Sequence, residues 1–250
     1  MEVEEYARIA AAEDDHWWYR NTRALVGDLL APWLTRAHRI LDAGCGPGGN
    51  GAWLAQHGTV VGVDVSPDAL AFVRARRPET RPVRASLESL PFPDASFDVV
   101  VGITVLYTID DDRRALRELA RVLAPGGALL LFEPAFESLR REHDVTVHGR
   151  RRYRRADLVQ QAQDNGLSVE RATYAYSFLA PPAAVLGGLE RLRRPSTTAT
   201  TDRSASATES DVERRSLDRA FAPMANAERR LLTHRDVPFG TSVIVVATAT

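Results

Sequence analysis

The residues best suited to chemistry lie in one run, Asp42-Ala43-Gly44-Cys45-Gly46-Pro47-Gly48-Gly49, which follows a short apolar stretch. Glycine at this density lets the backbone turn tightly and brings its N–H groups close to a ligand. Two patterns fit. Gly44, Gly46 and Gly49 satisfy Gly-x-Gly-x-x-Gly, in which a helix N-terminus receives a pyrophosphate. Asp42, Gly44, Gly46 and Gly48 equally satisfy Asp-x-Gly-x-Gly-x-Gly. A tight turn made only for helix-strand packing would use the same glycines. Two carboxylates favour one ligand over the other. Asp42, immediately before the turn, would repel a pyrophosphate but suits an ammonium group. Asp64 ends the next apolar stretch, where a carboxylate can accept hydrogen bonds from both ribose hydroxyls. Its competing role is a helix cap, which Ser66 already offers. An adenosine that carries an amino acid therefore fits better than one that carries a diphosphate.

These groups need strands to hold them. Arg39 to Ala43 reads as a strand entering the glycine turn, with a helix expected from Gly49 to His57. Thr59 to Val63 is the second strand, and Ser66-Pro67-Asp68 opens a helix with a capping serine and proline at the first helical position. Arg81 to Ala85 and Phe97 to Ile103 are the third and fourth strands, the latter apolar enough to be buried on both faces. A helix over Arg113 to Leu123 is expected to stop at Pro125-Gly126-Gly127, ahead of a fifth strand at Ala128 to Phe132. Arg155 to Asn165 is a helix with Gly166 at its C′ position, and strands follow at Ser168 to Tyr176 and Ser242 to Thr248. Such alternation predicts an α/β fold of seven strands, mostly parallel, with helices on both faces. An N-terminal helix runs from Tyr19 to Leu34. Between the last two strands come an apolar segment at Pro182 to Leu192, a flexible linker at 195–210 and a helix from Val212 to Thr233.

The 250 residues, 44% hydrophobic and 26% charged, suit one large globular domain. A formal net charge of −1 gives nucleic acid no broad electrostatic attraction, so no nucleic-acid partner is expected. Cys45 stands alone and cannot form an intrachain disulfide or a cysteine-rich zinc site, and no metal is expected. No apolar run is long enough to span a bilayer, and the acidic N-terminus lacks the features of a secretory leader. A cytoplasmic protein, monomer or homodimer, is the expectation.

Four separated blocks carry a likeness: LDAGCGPGG at 41–49, VVGVDVS at 60–66, LPFPDASFDVVV at 90–101 and RVLAPGGALLLFEP at 121–134. In this order and spacing the sequence resembles the class I S-adenosylmethionine-dependent methyltransferases of the small-molecule type. The resemblance implies a Rossmann-like sheet whose last strand is antiparallel. It also implies S-adenosylmethionine as cofactor and methyl transfer to an oxygen, nitrogen or carbon of a small acceptor. By resemblance, Asp42 and the Gly44, Gly46 and Gly48 backbone hold the methionine part, and Asp64 the ribose. Val65 lies beside the adenine, Ser86 and Leu87 at its edge, and Ile103 at the sulfonium end. The family often has aspartate where Ser86 stands and histidines where Thr104 and Thr108 stand. On this reading residues 1–38 form a helical cap or lid, 39–177 the cofactor-binding core, 178–240 an insertion serving as lid or dimer element, and 241–250 the closing strand.

Some members of the same family share a His-Trp-Trp-Tyr-Arg block, here His16 to Arg20, and a His-Asp plus Arg-Arg-Tyr segment, here His143, Asp144, Arg151, Arg152 and Tyr153. Some have histidine where Gly149 stands. His143 and His148 are thus the candidate general bases, with Tyr107 and Glu133 behind them. Trp18, Tyr19, Arg152 and Tyr153 are candidates for binding the acceptor. The arginines at 150–152, 154 and 155 crowd a predicted helix start, where positive charge opposes the helix dipole. They could serve an acidic group on the acceptor or form a solvated loop. The rival functions are an NAD(P)-dependent oxidoreductase, which shares the glycine turn, and a non-catalytic cofactor-binding or regulatory protein.

Overall fold

In a computed structural model, residues 3–35, 39–193 and 215–249 are described, the side chains of 142–143, 187–193 and 215–220 apart. The strands are β1 (Arg39–Ala43), β2 (Thr59–Asp64), β3 (Thr80–Arg84), β4 (Phe97–Ile103), β5 (Leu123–Pro134), β6 (Leu167–Ala175) and β7 (Ser242–Ala249). They form one sheet in the order β3-β2-β1-β4-β5-β7-β6. The first five pair in parallel, whereas β7 runs antiparallel to both of its neighbours, β5 and β6. The final strand thus inserts between β5 and β6 rather than joining an edge.

The helices are α1 (Val3–Ala12), α2 (Trp17–Leu34), α3 (Gly51–Leu54), α4 (Pro67–Arg76), α5 (Asp112–Val122), α6 (Glu142–Thr146), α7 (Arg155–Asp164), α8 (Ala180–Arg193) and α9 (Arg215–Leu232). α4 starts as its sequence dictates, with Ser66 Oγ accepting from the Ala69 N–H at 3.3 Å and Pro67 in the first turn. α5 is amphipathic and buries Ala115, Leu116, Leu119 and Val122 against the sheet. Val99, Val100 and Val101 of β4 are fully buried, as a central strand covered on both faces requires.

Several expected boundaries move. The helix expected to follow the glycine turn shortens to α3, and its last residues turn with the His57 N–H on the Leu54 carbonyl at 2.9 Å. α5 stops at Val122, before the Pro-Gly-Gly run. That run is absorbed as an irregularity of β5, since Phe97 pairs with Leu123 but Val99 pairs with Ala128. Trp17, Trp18 and Tyr19 form the first turn of α2, capped by His16 Nδ1, which accepts from the Trp18 N–H at 3.3 Å. The linker expected at 195–210 lies outside the described residues. α9 docks on α2 through Asn21 Nδ2 to Asn226 Oδ1 at 3.2 Å and an Arg229–Asp28 ion pair at 3.2 Å. Among the described residues no helix is long and apolar enough to cross a membrane.

β1 lies between β2 and β4, so the connections leaving its two sides run in opposite directions. This is the topological switch point, and it opens a crevice beyond the carboxyl ends of these strands. The ends of β1, β2 and β4 carry Asp42, Asp64 and Ile103 to that crevice.

Candidate cofactor and acceptor site

Gly44, Gly46 and Gly48 take positive φ values of 71°, 52° and 94°, which other residues adopt only under strain. The Gly44 and Cys45 N–H groups donate to the Val63 carbonyl at 2.8 and 2.9 Å, tying the turn to β2. Asp64 reaches across the turn. Its Oδ2 accepts from the Gly46 N–H at 3.0 Å and its Oδ1 from the Ser66 N–H at 2.9 Å. Two backbone donors thus fix the carboxylate, and each oxygen keeps a lone pair for a ribose hydroxyl. Burial raises its pKa, an effect that the N–H donors oppose.

Val65 is 60% exposed at the mouth of the crevice, an apolar face free to lie against a purine. Ser86 Oγ accepts from the Glu88 N–H at 3.1 Å and lies 3.3 Å from Glu88 Oε2, while Leu87 is buried in the core. Glu88 Oε1 accepts from the Asp111 N–H at 3.0 Å, so Glu88 is held in place beside Ser86. Ile103 is half-buried at the end of β4.

Asp42 is 1% exposed. Its Oδ1 accepts from Asn50 Nδ2 at 3.4 Å, and its Oδ2 has no hydrogen-bond partner. Burial, together with the charges of Glu13 and Asp64, raises its pKa to about 7. A buried carboxylate oxygen left without a donor is costly, and a ligand ammonium would satisfy it. The turn, the two carboxylates and the exposed Val65 therefore fit a zwitterionic amino acid joined to an adenosine. A pyrophosphate would meet Asp42 as a like charge.

The other wall is built from the ends of β4 and β5. Glu133, fully buried, accepts from the N–H groups of Val105, Leu106 and Tyr107 at 3.1, 2.9 and 3.2 Å, and burial pushes its pKa to about 8. It is thus a backbone clamp for the loop after β4, where Thr104 has a φ of 49°. The clamp sets Tyr107, whose hydroxyl pKa is raised by burial and by the Glu133 charge. A Cβ at Gly149 would lie 2.7 Å from Cε2 of Tyr107, so the ring occupies the space of a side chain at that position. Trp18 meets Tyr19, Phe132 and Tyr176 with ring centroids 5.0, 6.1 and 6.4 Å apart. Trp17 packs into the core against Tyr176, Phe178 and Phe221.

Of the basic segment, Arg150, Arg151 and Arg152 precede α7 and are paired within the chain, whereas Arg154 and Arg155 stand at its start without an ion pair among the described residues. Arg150 pairs with Asp110 at 2.6 Å and Arg151 with Asp112 at 2.6 Å. Arg152 grips Asp144 through Nε at 3.1 Å and Nη2 at 2.9 Å, and donates through Nη1 to the Ala135 carbonyl at 3.2 Å. The Tyr153 hydroxyl donates to Asp112 Oδ2 at 2.8 Å and is buried. Arg152 and Tyr153, expected to bind the acceptor, are thus engaged within the chain. Asp144 also accepts from the Arg141 N–H at 2.7 Å at the start of α6. His148 is exposed just after α6, with φ 58°. His143 lies within α6, and its side chain is outside the described residues. Tyr6, Glu13 and Arg23, close to the glycine turn in space, escape sequence reading because no motif links 6–23 to 42–49.

Comparison with known proteins places this geometry. Residues 41–131 match a family model described as a methyltransferase domain. The chain is 40% identical over 121 residues to a probable S-adenosylmethionine-dependent methyltransferase of Mycobacterium tuberculosis, covering 48% of this chain and 43% of that one. It is 34% identical over 172 residues to a malonyl-[acyl-carrier protein] O-methyltransferase of Enterobacter lignolyticus, covering 66% of this chain and 65% of that one. The match thus spans less than half of the first relative and about two thirds of the second. A TehB-like S-adenosylmethionine-dependent methyltransferase from Corynebacterium glutamicum shares the fold, with a TM-score of 0.58 and 22% identity over 99% of this chain and 98% of that one. The matched methyltransferase domain, the named relatives and the shared fold together support a class I S-adenosylmethionine-dependent methyltransferase with S-adenosylmethionine as its cofactor.

Proposed function

We propose that this protein transfers a methyl group from S-adenosylmethionine to an oxygen, nitrogen or carbon of a small molecule by in-line displacement, with release of S-adenosylhomocysteine. The observation that carries the reading is the unpartnered, buried Oδ2 of Asp42 beside a glycine turn that Asp64 braces. Asp42 receives the ammonium and the backbone of Gly44, Gly46 and Gly48 lines the methionine part. Asp64 holds the ribose, Val65 and Ser86 flank the adenine with the backbone at Leu87, and Ile103 borders the sulfonium. The cofactor supplies an activated methyl on sulfur, and the protein's task is alignment of the nucleophile with that bond.

The acceptor enters beside Ile103 and Tyr107, with Trp18 and Tyr19 on the facing helix. Residues 1–38 and 178–240 act as its cover. His148, His143 and Tyr107 are the groups available to move a proton, a step that a hydroxyl acceptor needs and a neutral amine does not. Arg152 and Tyr153 support that wall through Asp144 and Asp112. Buried, free Cys45 suits a reducing, cytoplasmic setting.

Calorimetric titration with S-adenosylmethionine, S-adenosylhomocysteine and NAD tests the cofactor part. Binding of the first two, abolished by Asp64→Ala, and none of NAD is the expected result; NAD binding alone would overturn it. Screening hydroxyl, carboxyl and amine acceptors for formation of S-adenosylhomocysteine tests transfer, and cofactor binding without turnover on any of them would favour a non-catalytic role.

A further inference from the structure

The segment between α1 and α2 folds back over the glycine turn. Glu13 is 2% exposed, and its Oε1 accepts from Arg76 Nη1 at 2.8 Å and Arg77 Nη2 at 3.2 Å at the end of α4. Asp14 completes this latch, pairing with Arg76 at 3.1 Å and Arg77 at 2.5 Å. The other carboxylate oxygen of Glu13 faces Gly49, where even a Cβ would collide with it. Both arginine donors go to Oε1, which leaves the second oxygen on the glycine side, near the turn that also carries the unpartnered Oδ2 of Asp42.

Arg23 reaches the same place from α2. Its Nη2 donates to the Glu13 carbonyl at 2.6 Å and its Nη1 to the Gly49 carbonyl at 3.5 Å. It makes no ion pair among the described residues, although the latch beside it is a balanced set of two acids and two arginines. A half-buried guanidinium bound only to carbonyls keeps its charge available for an anion. One turn therefore meets the unpartnered Asp42 oxygen, the Glu13 oxygen that its arginines leave unused, and one arginine without an ion pair among the described residues. A zwitterion is the ligand that complements this set.

We propose that the N-terminal segment is part of the cofactor site and reads its amino-acid end, with Glu13 as a second carboxylate for the ammonium and Arg23 as the partner of the α-carboxylate. This rests on the cofactor reading above and extends it to residues outside every motif of the sequence. The latch to Arg76 and Arg77 holds Glu13 over the turn and joins it to α4, whose capping loop carries Asp64. The adenosine end and the amino-acid end are thus gripped from one bridged unit.

Calorimetry with two ligands separates the ends: S-adenosylhomocysteine, and 5′-methylthioadenosine, which lacks the amino-acid part. Glu13→Gln and Arg23→Met are each expected to weaken S-adenosylhomocysteine by about tenfold to a hundredfold, the loss of one charge-assisted hydrogen bond. Methylthioadenosine should bind each variant as it binds the parent protein, and its retention shows that the variant is folded. Should Glu13→Gln not fold, Arg23→Lys, which keeps the charge without the planar fork, serves with an intermediate loss expected. Unchanged S-adenosylhomocysteine affinity, or an equal loss for both ligands, would overturn the proposal, the latter making the segment only a cover. Asp64→Ala should weaken both ligands, and if the parent protein binds neither, it is the cofactor reading that fails.

Discussion

The side chain of Val105 packs directly onto the α-carbon of Gly44, so the loop after β4 rests on the glycine turn after β1. The Val105 N–H is held in turn by Glu133 at 3.1 Å. The cofactor turn and the acceptor wall are therefore one packed unit, with no room between them for a methyl group at position 44.

Gly44→Ala and Gly46→Ala should differ for this reason. Both sites have positive φ, which costs an alanine about 1–2 kcal/mol. A Cβ at Gly46 meets nothing within 4 Å, whereas one at Gly44 collides with Val105. Overpacking adds about 1–3 kcal/mol, so Gly44→Ala is the more destabilising of the two. Urea denaturation measures the gap, and equal losses would mean that the loop moves aside freely.

Asp42 makes both stability and ligand binding depend on pH, in opposite directions. Its folded pKa of about 7 lies above the ordinary value of 3.8, so the stability it contributes is present below about pH 4 and is lost as pH rises through about 7. An ammonium ligand favours the ionised form, so S-adenosylhomocysteine should bind more tightly as pH climbs from 6 to 8. Asp42→Asn should flatten both profiles. Melting curves and titrations across this range provide the check, and an unchanged slope in the variant would assign the pH dependence elsewhere.

Glu133 should behave as a structural clamp. Glu133→Ala leaves three backbone N–H groups without their acceptor, each worth about 1–3 kcal/mol when buried. Glu133→Gln restores one carbonyl oxygen and should recover part of the loss. Hydrogen exchange at Val105, Leu106 and Tyr107 reports on the clamp directly, and fast exchange is expected in the alanine variant.

Arg152→Met should destabilise the protein rather than raise the KM for the acceptor. It leaves Asp144, 3% exposed, without its bidentate partner, and breaking a buried pair in this way costs about 3–5 kcal/mol. Denaturation and acceptor titration together distinguish the roles. A selective rise in KM at unchanged stability would return Arg152 to acceptor binding.

What the sequence determined by itself is local. Asp42, the glycines and Asp64 are legible because a strand-turn-helix junction is contiguous in the chain, and the backbone conformation it needs restricts the residue types. The period of the apolar residues placed β1 and β4 at their observed limits, since burial on both faces leaves little choice of composition. The Pro-Gly-Gly run was legible as a break but not as part of β5, because its pairing with β4 depends on a partner strand distant in sequence.

Tertiary structure alone decided the rest. Glu13 faces Gly49, Val105 covers Gly44 and Arg152 meets Asp144 only once the chain has folded back on itself, and no spacing rule encodes such encounters. The arginine run shows why: as a sequence it is an uncompensated positive cluster, and in the fold Asp110, Asp112 and Asp144 neutralise three of its five arginines. A charge, unlike an apolar face, can be satisfied by a partner anywhere in the chain, so its residue type fixes its need but not its use.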